Sequence, residues 1–291
     1  MQKIVLDKSF LDGAGGHQVR EVLAQHDGLI IEPLFYELMT TDQPIRQSRA
    51  FNKFPREAGA FTLIPNMGTF LRHEFEQQKA MDSSDVCAIE GKHIFNEALR
   101  DGGYVPTDQV RDDILSWRAE VNHATDTFVR MCETVNHFFP ELNGIEFREL
   151  PAAIAMARQA VATDCVRVRA IYEEIRAWDA PDAKIDGALL DERWATFRFL
   201  QCHLLAALRI FGRYGGQLPE TSKFRLHAEH CTHDLEYVLV ASLVGAIATN
   251  DREVEEDFRM LRPDGLVVRP YPPNRNLDPP AHCFRKIEPT R

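Results

Sequence analysis

The stretch DLEYVLVASLVGAIATND, residues 234–251, decides the fold of this chain. Its first half is apolar, and we predict a helix over residues 234–242. Gly245 interrupts that pattern, and the short apolar run at 246–249 is typical of a buried strand. The strand is followed by an Asn-Asp pair, so that the carboxylate of Asp251 stands directly beyond its end.

The same alternation of strand and helix continues towards residue 268 and also opens the chain. After the quoted stretch we predict a helix at 253–261 and a strand at 265–268. The predicted N-terminal elements are, in order, a strand at 3–6 that ends on Asp7, a helix at 19–25, a strand at 28–31 and a helix at 34–39. Because short apolar strands alternate with helices, the sequence predicts an α/β fold with a parallel sheet flanked by helices.

Residues 46–221 differ in character from both ends of the chain. Strand-like alternation is scarce there, and apolar residues recur at spacings of three and four. We predict long amphipathic helices at 70–81, 107–139, 151–178 and 189–214, the last with a core stripe from Trp194 to Phe211. The predicted domains are an α/β domain formed by 1–45 and 222–270, a large all-helical insertion at 46–221, and a proline-rich tail at 271–291.

Four acidic residues fall where such a sheet would bind a ligand. Asp7 and Asp251 stand just beyond predicted strands, and open α/β sheets bind ligands outside the carboxyl ends of their strands. Glu37 and Asp234 lie on helices next to those strands, although Asp234 and Asp251 also suit the plain role of helix N-caps. Clustered carboxylates repel one another unless a cation such as Mg²⁺ or Mn²⁺ neutralises them. The pattern therefore predicts a divalent-metal site suited to phosphodiester hydrolysis.

Three stretches of the chain resemble PIN-domain proteins: IVLDKSFL at 4–11, IIEPLFYEL at 30–38 and the stretch at 234–251. The first is similar to the opening strand of that family, where an Asp is followed two residues later by Ser or Thr. The second is similar to its second strand and to the helix that bears its acidic Glu. The third is similar to its Asp-bearing helix and to the strand that ends in Thr-Asn-Asp.

This resemblance covers roughly residues 1–45 and 222–270, and it implies a PIN-like fold and a metal-dependent nuclease, usually acting on RNA. The implied catalytic and metal-binding carboxylates are Asp7, Glu37, Asp234 and Asp251. The side chains implied to line the site beside them are Ser9, Thr249 and Asn250. The implied cofactor is Mg²⁺ or Mn²⁺, and the implied partner is RNA or another single-stranded nucleic acid. The insertion is far longer than the usual connection in the family.

Several polar residues near the four acids leave two interpretations open. Glu236 is either an auxiliary ligand or a plain helix residue, and Asp257 is predicted to lie on the surface. His227, His230 and His233 recur every three residues, which fits either a transition-metal site on one helix face or polar residues beside the acidic site. His233 is also a candidate phosphate contact or proton donor.

The candidate phosphate contacts are the basic residues Lys8, Arg46, Arg49, Lys53 and Arg56. Several of them are interleaved with Phe51 and Phe54, a mixture that suits a nucleic-acid strand but is explained equally by a solvated loop. The formal net charge of -10 counts against a broad nucleic-acid surface. Three hypotheses follow: a nuclease, foremost a ribonuclease; a non-catalytic PIN-like scaffold whose insertion binds a partner or a second copy of the chain; and a phosphatase of small molecules.

Cysteine usage and hydropathy bear on the compartment. The six cysteines form no CxxC motif, and no apolar run reaches the ~18 residues that a membrane helix needs. The first ten residues lack the long apolar core of a signal peptide. We therefore expect reduced thiols and a cytoplasmic protein.

Overall fold

The centre of the molecule is a layer of short strands. The computed structural model describes residues 1–41, 43–57, 59, 61–81, 92–93, 95–179 and 185–271. Within them the strands are β1 Lys3–Leu6, β2 Asp27–Ile31, β3 Phe61–Ile64, β4 Lys92–His93, β5 Ala246–Ala248 and β6 Leu266–Val268. They form one sheet in the order β4-β3-β2-β1-β5-β6.

Five of these strands run parallel, and only the short edge strand β4 is antiparallel to its neighbour β3. β1 lies centrally, with Val5 opposite Leu29 of β2 on one side and Ile247 of β5 on the other. Buried strands read as continuous apolar runs, which is why β1, β2 and β5 were predictable, and β6 has the same apolar pattern although it is only partly buried. The predicted α/β fold, with a parallel sheet flanked by helices, is confirmed.

Helices make up most of the remaining described chain. In the N-terminal part these are α1 Lys8–Gly13, α2 Gly16–Gln25, α3 Glu32–Met39, α4 Pro44–Phe51, α5 Met67–Gln77 and α6 Glu97–Asp101. In the C-terminal part they are α7 Asp108–Phe138, α8 Leu150–Thr163, α9 Cys165–Asp179, α10 Ala195–Tyr214, α11 Ser222–Val244 and α12 Arg252–Leu261. Single 3-10 turns occur at Pro140–Leu142 and Gly187–Leu189.

The all-helical character predicted for residues 46–221 is wrong at its N-terminal end. β3 lies in that stretch and pairs with β2 along its whole length, from Gly28 opposite Phe61 to Ile31 opposite Ile64. Its four residues, FTLI, carry no alternation, so periodicity could not separate a buried strand from a turn of buried helix. Residues 46–221 therefore supply part of the central sheet. Most of the proline-rich tail, residues 272–291, lies outside the described residues.

The helix predicted at 151–178 is two helices in the structure. α8 ends at Thr163 and α9 begins at Cys165, because Asp164 leaves the helical conformation with φ -100° and ψ 83°. The predicted core stripe is confirmed, since its side chains are buried: Trp194, Phe197, Leu200, Leu204, Leu208 and Phe211.

α11 joins the helical layer to the sheet. It packs against β1 and β5 and, in the helical layer, against α7, α10 and α12. Apolar side chains are buried over most of its length, from Phe224 to Ala241. The helix begins at Ser222, twelve residues before Asp234, where the predicted helix began. No helix among the described residues is both long and apolar enough to span a membrane.

Candidate functional site

The predicted acidic site lies at the topological switch point of the sheet, between β1 and β5, where the strand order reverses. From β1 the chain builds outward through β2 and β3 on one side, and it returns at the end to place β5 and β6 on the other. Such a switch point leaves a crevice beyond the carboxyl ends of the two strands that flank it. Asp7 follows β1 and Asp251 follows β5, so both stand at this crevice.

Asp7 is held by a network of short hydrogen bonds. It is only 3% exposed, and as the N-cap of α1 it accepts the backbone N–H of Ser9 at 3.1 Å. Its other oxygen accepts the hydroxyls of Ser9 and Thr249, the latter at 2.5 Å. Burial raises the pKa of Asp7, and the nearby Glu37 raises it further, while the donors from Ser9 and Thr249 oppose the shift. The network therefore orients one carboxylate across a separation of 242 residues in the sequence.

The Thr249-Asn250-Asp251 turn completes this network. The backbone N–H of Asn250 donates to the Ser9 hydroxyl at 2.9 Å, and that of Asp251 donates to the Thr249 hydroxyl at 3.0 Å. Each hydroxyl thus accepts from the turn and donates to Asp7. One oxygen of Asp251 caps α12 by accepting the N–H groups of Glu253 and Val254 at 2.7 and 3.3 Å, which leaves its second oxygen for the crevice.

Among the four acids, Asp234 on α11 has the fewest hydrogen-bond donors within the described residues. It is partly buried, and within the described part of the chain it receives no hydrogen bond. Burial raises its pKa well above the ordinary range, and the charges of Asp7, Asp251 and Glu37 add to that shift. The charge of Arg209 acts in the opposite direction. The structure therefore brings all four predicted acids into one electrostatic neighbourhood.

Glu37, on α3, is engaged by two donors. Lys8 Nζ forms an ion pair with one oxygen at 3.1 Å, and the Tyr237 hydroxyl donates to the other at 2.9 Å. Burial raises the pKa of Tyr237 well above its usual range, with Glu37 and Asp7 adding to the effect, so the phenol stays protonated. The sequence prediction did not include Tyr237. Its position three residues after Asp234 on one helix was the available signal, because that spacing places both side chains on the same face.

Carboxylate oxygens are the right donors for a hard divalent cation, and the unpartnered Asp234 is the observation that fits one best. The described positions nevertheless do not bring three ligands to a point: among these residues no three His, Cys, Asp or Glu side chains are spaced to hold one ion. Two of the four acids already have protein donors on both oxygens, Asp7 from hydroxyls and an amide, Glu37 from Lys8 and Tyr237.

The three histidines of α11 separate in the structure. His227 contacts Arg213 at 2.7 Å, His230 is exposed, and His233 is buried in a neighbouring cavity. Burial lowers the pKa of His233 to about 4, so its ring is neutral at pH 7. These positions do not gather the three rings around one transition metal.

Glu236 and Asp257 also lie away from the acidic crevice. Glu236 lines the same cavity as His233 and accepts the backbone N–H of Met67 at 3.4 Å. Burial raises the pKa of Glu236 to about 7. The surface position predicted for Asp257 is wrong, since it is 2% exposed and bridges Arg158 and Arg209 with two contacts of 2.6 Å.

The candidate phosphate contacts disperse as well. Lys8 is committed to Glu37, Arg56 pairs with Glu97 at 3.0 Å, and Lys53 donates to the backbone carbonyl of Leu11 with a pKa lowered by burial. The two arginines that remain exposed on α4 are Arg46 and Arg49. The interleaved aromatics are not a stacking platform, because the rings at positions 51 and 54 are at most 1% exposed and pack on Phe95.

Comparison of this chain with protein-family models, with curated proteins and with solved structures gives no match.

Proposed function

We propose that this protein is a divalent-metal-dependent, PIN-like nuclease, with RNA as its foremost substrate. The observation that supports the proposal most strongly is Asp234 at the switch point of a parallel sheet, a partly buried carboxylate that receives no hydrogen bond from the described residues and whose pKa is raised by burial and by the charges of three further carboxylates. Like charges held in this way are costly unless a cation offsets them. The Ser and the Thr-Asn-Asp turn around Asp7 add to the resemblance on which the PIN-like assignment rests.

Asp234 and Asp251 would hold the ion with their free oxygens, and Asp7 would complete the set. Bound Mg²⁺ or Mn²⁺ supplies an activated water and neutralises charge on the phosphate. Ser9 and Thr249 keep the Asp7 carboxylate in one orientation by donating to the same one of its oxygens. Lys8, which forms an ion pair with Glu37, would contact a substrate phosphate after exchanging that partner.

A non-catalytic PIN-like scaffold is the second candidate, and the same site offers an observation in its favour. Asp7 and Glu37 are already satisfied by protein donors, so that neither oxygen pair requires a cation. In that case the hydrogen bonds at the crevice only hold the two ends of the chain together, and the helical layer binds a partner or a second copy of the chain.

Nuclease assays with matched variants separate the two candidates. The full chain is incubated with a mixed panel of RNA and single-stranded DNA in Mn²⁺, in Mg²⁺ and in EDTA. We expect metal-dependent cleavage that falls by about a hundredfold or more in Asp234→Asn and in Asp251→Asn, since each substitution removes an anionic ligand. Asp264→Asn, which changes a surface acid with a side chain 78% exposed, serves as the matched control and keeps wild-type activity.

Metal binding is measured on the same proteins by the thermal shift that Mn²⁺ produces. Nuclease activity that persists at the wild-type rate in both Asp→Asn variants would come from a contaminant and would exclude the proposed site. A wild-type protein with no Mn²⁺ shift and no cleavage would favour the scaffold. Cleavage of small phosphate esters, with the nucleic-acid panel intact, would indicate a phosphatase.

A further inference from the structure

A cavity of about 350 Å³ opens beside the acidic crevice and plays no part in the proposed nuclease site. It is formed by α3 and α11, the helices that also carry Glu37 and Asp234, together with α5, α7 and α10. That volume lies within the range of pockets that hold small organic ligands. The cavity is therefore large enough to hold a small organic molecule.

Aromatic rings form much of the wall. Tyr36 and Trp117 meet edge to face with ring centroids 6.3 Å apart. On α10, the ring of Phe199 lies against that of His203, with centroids 4.0 Å apart. Rings in such an arrangement present faces and edges to a flat apolar body, and their negative faces attract a cation.

The polar groups of the wall have hydrogen-bonding capacity that the protein leaves unused. His233 is 5% exposed, lines the cavity, and has no hydrogen-bond partner within the described residues. His203 Nδ1 lies 2.8 Å from the Phe199 carbonyl, which only accepts, so Nδ1 carries the proton and Nε2 is a bare acceptor. One oxygen of Glu236 accepts from Met67, and the other has no donor in the described chain. Buried polar groups are rarely left in this state without a ligand or water.

Among the described residues that line the cavity, the carboxylates are not matched by any Lys or Arg. These carboxylates are Glu32 and Glu236, with Glu120 at the exposed rim. Glu32 and Glu120 lie close enough to Glu236 for their charges to act on it. A phosphate or carboxylate ligand would be repelled by these carboxylates, whereas a protonated amine would be attracted by them and could donate to several acceptors of the wall.

We propose that this cavity binds a small organic cation, in which a protonated amine donates to Glu236 and to His203 Nε2 while a flat apolar body packs between Tyr36, Trp117 and Phe199. His233 supplies one donor and one acceptor to the same ligand. The site is independent of the metal chemistry proposed above, because none of these residues is among the four acids.

Calorimetric titration of the full chain with three matched probes tests the proposal. The probes are tryptamine, the uncharged 3-ethylindole and the anionic indole-3-propionate, which share one ring system and differ in charge. We expect tryptamine to bind with one site per chain, at least about tenfold more tightly than 3-ethylindole, and indole-3-propionate to give no saturable heat. Equal affinity for all three probes, or no binding of tryptamine, would overturn the proposal.

Two variants locate the binding. Glu236→Gln keeps the shape and removes the charge, and Ala124→Trp fills the cavity from α7. Each is expected to weaken tryptamine binding by about tenfold or more, with folding verified by a thermal melt. The matched controls Glu133→Gln and Ala119→Trp place the same changes on exposed positions of α7 and leave the affinity unchanged. Tryptamine affinity that survives both cavity variants would assign the heat to another surface and refute the site.

Discussion

At the scale of single residues, Thr249 connects the two ends of the chain through one hydroxyl. It is fully buried, donates to Asp7 at 2.5 Å and accepts the Asp251 N–H at 3.0 Å. Thr249→Val keeps the shape but removes both bonds, and an unsatisfied buried group costs about 1–3 kcal/mol of unfolding free energy. Urea unfolding measures this loss, which Thr249→Ser should largely restore. The exposed Thr163→Val serves as control, and an equal loss there would contradict the assigned role.

His203 should make the stability of the protein depend on pH. Burial lowers its pKa to about 4, from 6.5, so the folded protein holds the ring neutral where the unfolded chain takes up a proton. The contribution of the neutral His203 ring to the unfolding free energy is therefore fully present above pH 6.5. It is lost as the pH falls towards 4, by up to about 1.4 kcal/mol per pH unit. His203→Gln keeps a donor for the Phe199 carbonyl and reduces this slope, while the contribution of His233, whose pKa is lowered in the same way, remains. Urea unfolding at several pH values from 4.5 to 7 measures it, and an unchanged slope in the variant would contradict the prediction.

The site shows at the same scale what a sequence can and cannot disclose. Asp7 and Asp251 were predictable because each follows an apolar strand, and strand ends in parallel sheets meet at one edge. The partners of Glu37 were not, since a contact between positions 37 and 237 depends on how two helices pack. Glu236, in contrast, is close to Asp234 in sequence but not in its surroundings. A spacing of two residues on a helix directs the two side chains to different faces, and Glu236 lines the neighbouring cavity.

At the scale of elements, Gly245 ends α11 and is followed directly by β5. Its φ of +85° lies in the left-handed region, and its carbonyl accepts the N–H of Leu266 at 3.0 Å, at the start of β6. Gly245→Ala should lower the unfolding free energy by about 1–2 kcal/mol, because an L side chain is strained at this φ. The control Gly103→Ala, where an added methyl meets open space, should change it by less than about 0.5 kcal/mol. Equal effects in thermal or urea unfolding would remove the strain argument.

Element boundaries mark the limit of prediction from sequence. Residues 234–242 were predicted as a helix on their apolar content, but α11 begins at Ser222, where Thr221 caps the N–H of Phe224 at 3.1 Å. The polar residues in its first three turns hide it, because they face the surface while scattered apolar ones face α7 and α10. β3 was missed for a different reason, since four buried residues carry no period that identifies a strand.

At the scale of the whole molecule, the helical layer and the sheet share α11 as a common wall. The same helix packs against β1 and β5 and against α7 and α10, and it carries residues of both the acidic crevice and the cavity. If an insertion only extended a surface loop, its removal would leave the sheet intact. Here the stretch 46–221 contains β3, which lies next to β2 in the sheet, and the helices that cover one side of α11.

We therefore predict that replacing residues 46–221 with a short Gly-Ser linker abolishes cooperative folding. The deletion strips α11 of its contacts with α7 and α10 and leaves β2 as an uncovered edge. Each large apolar side chain that loses its burial costs about 1.5–3 kcal/mol, and a handful of them equals the ~5–15 kcal/mol by which a domain is stable. Far-UV circular dichroism during urea unfolding measures the outcome. A shortened chain that still unfolds in one cooperative transition, with the Mn²⁺ response of the full protein, would show that the crevice stands on its own and that the helical layer is a separate module.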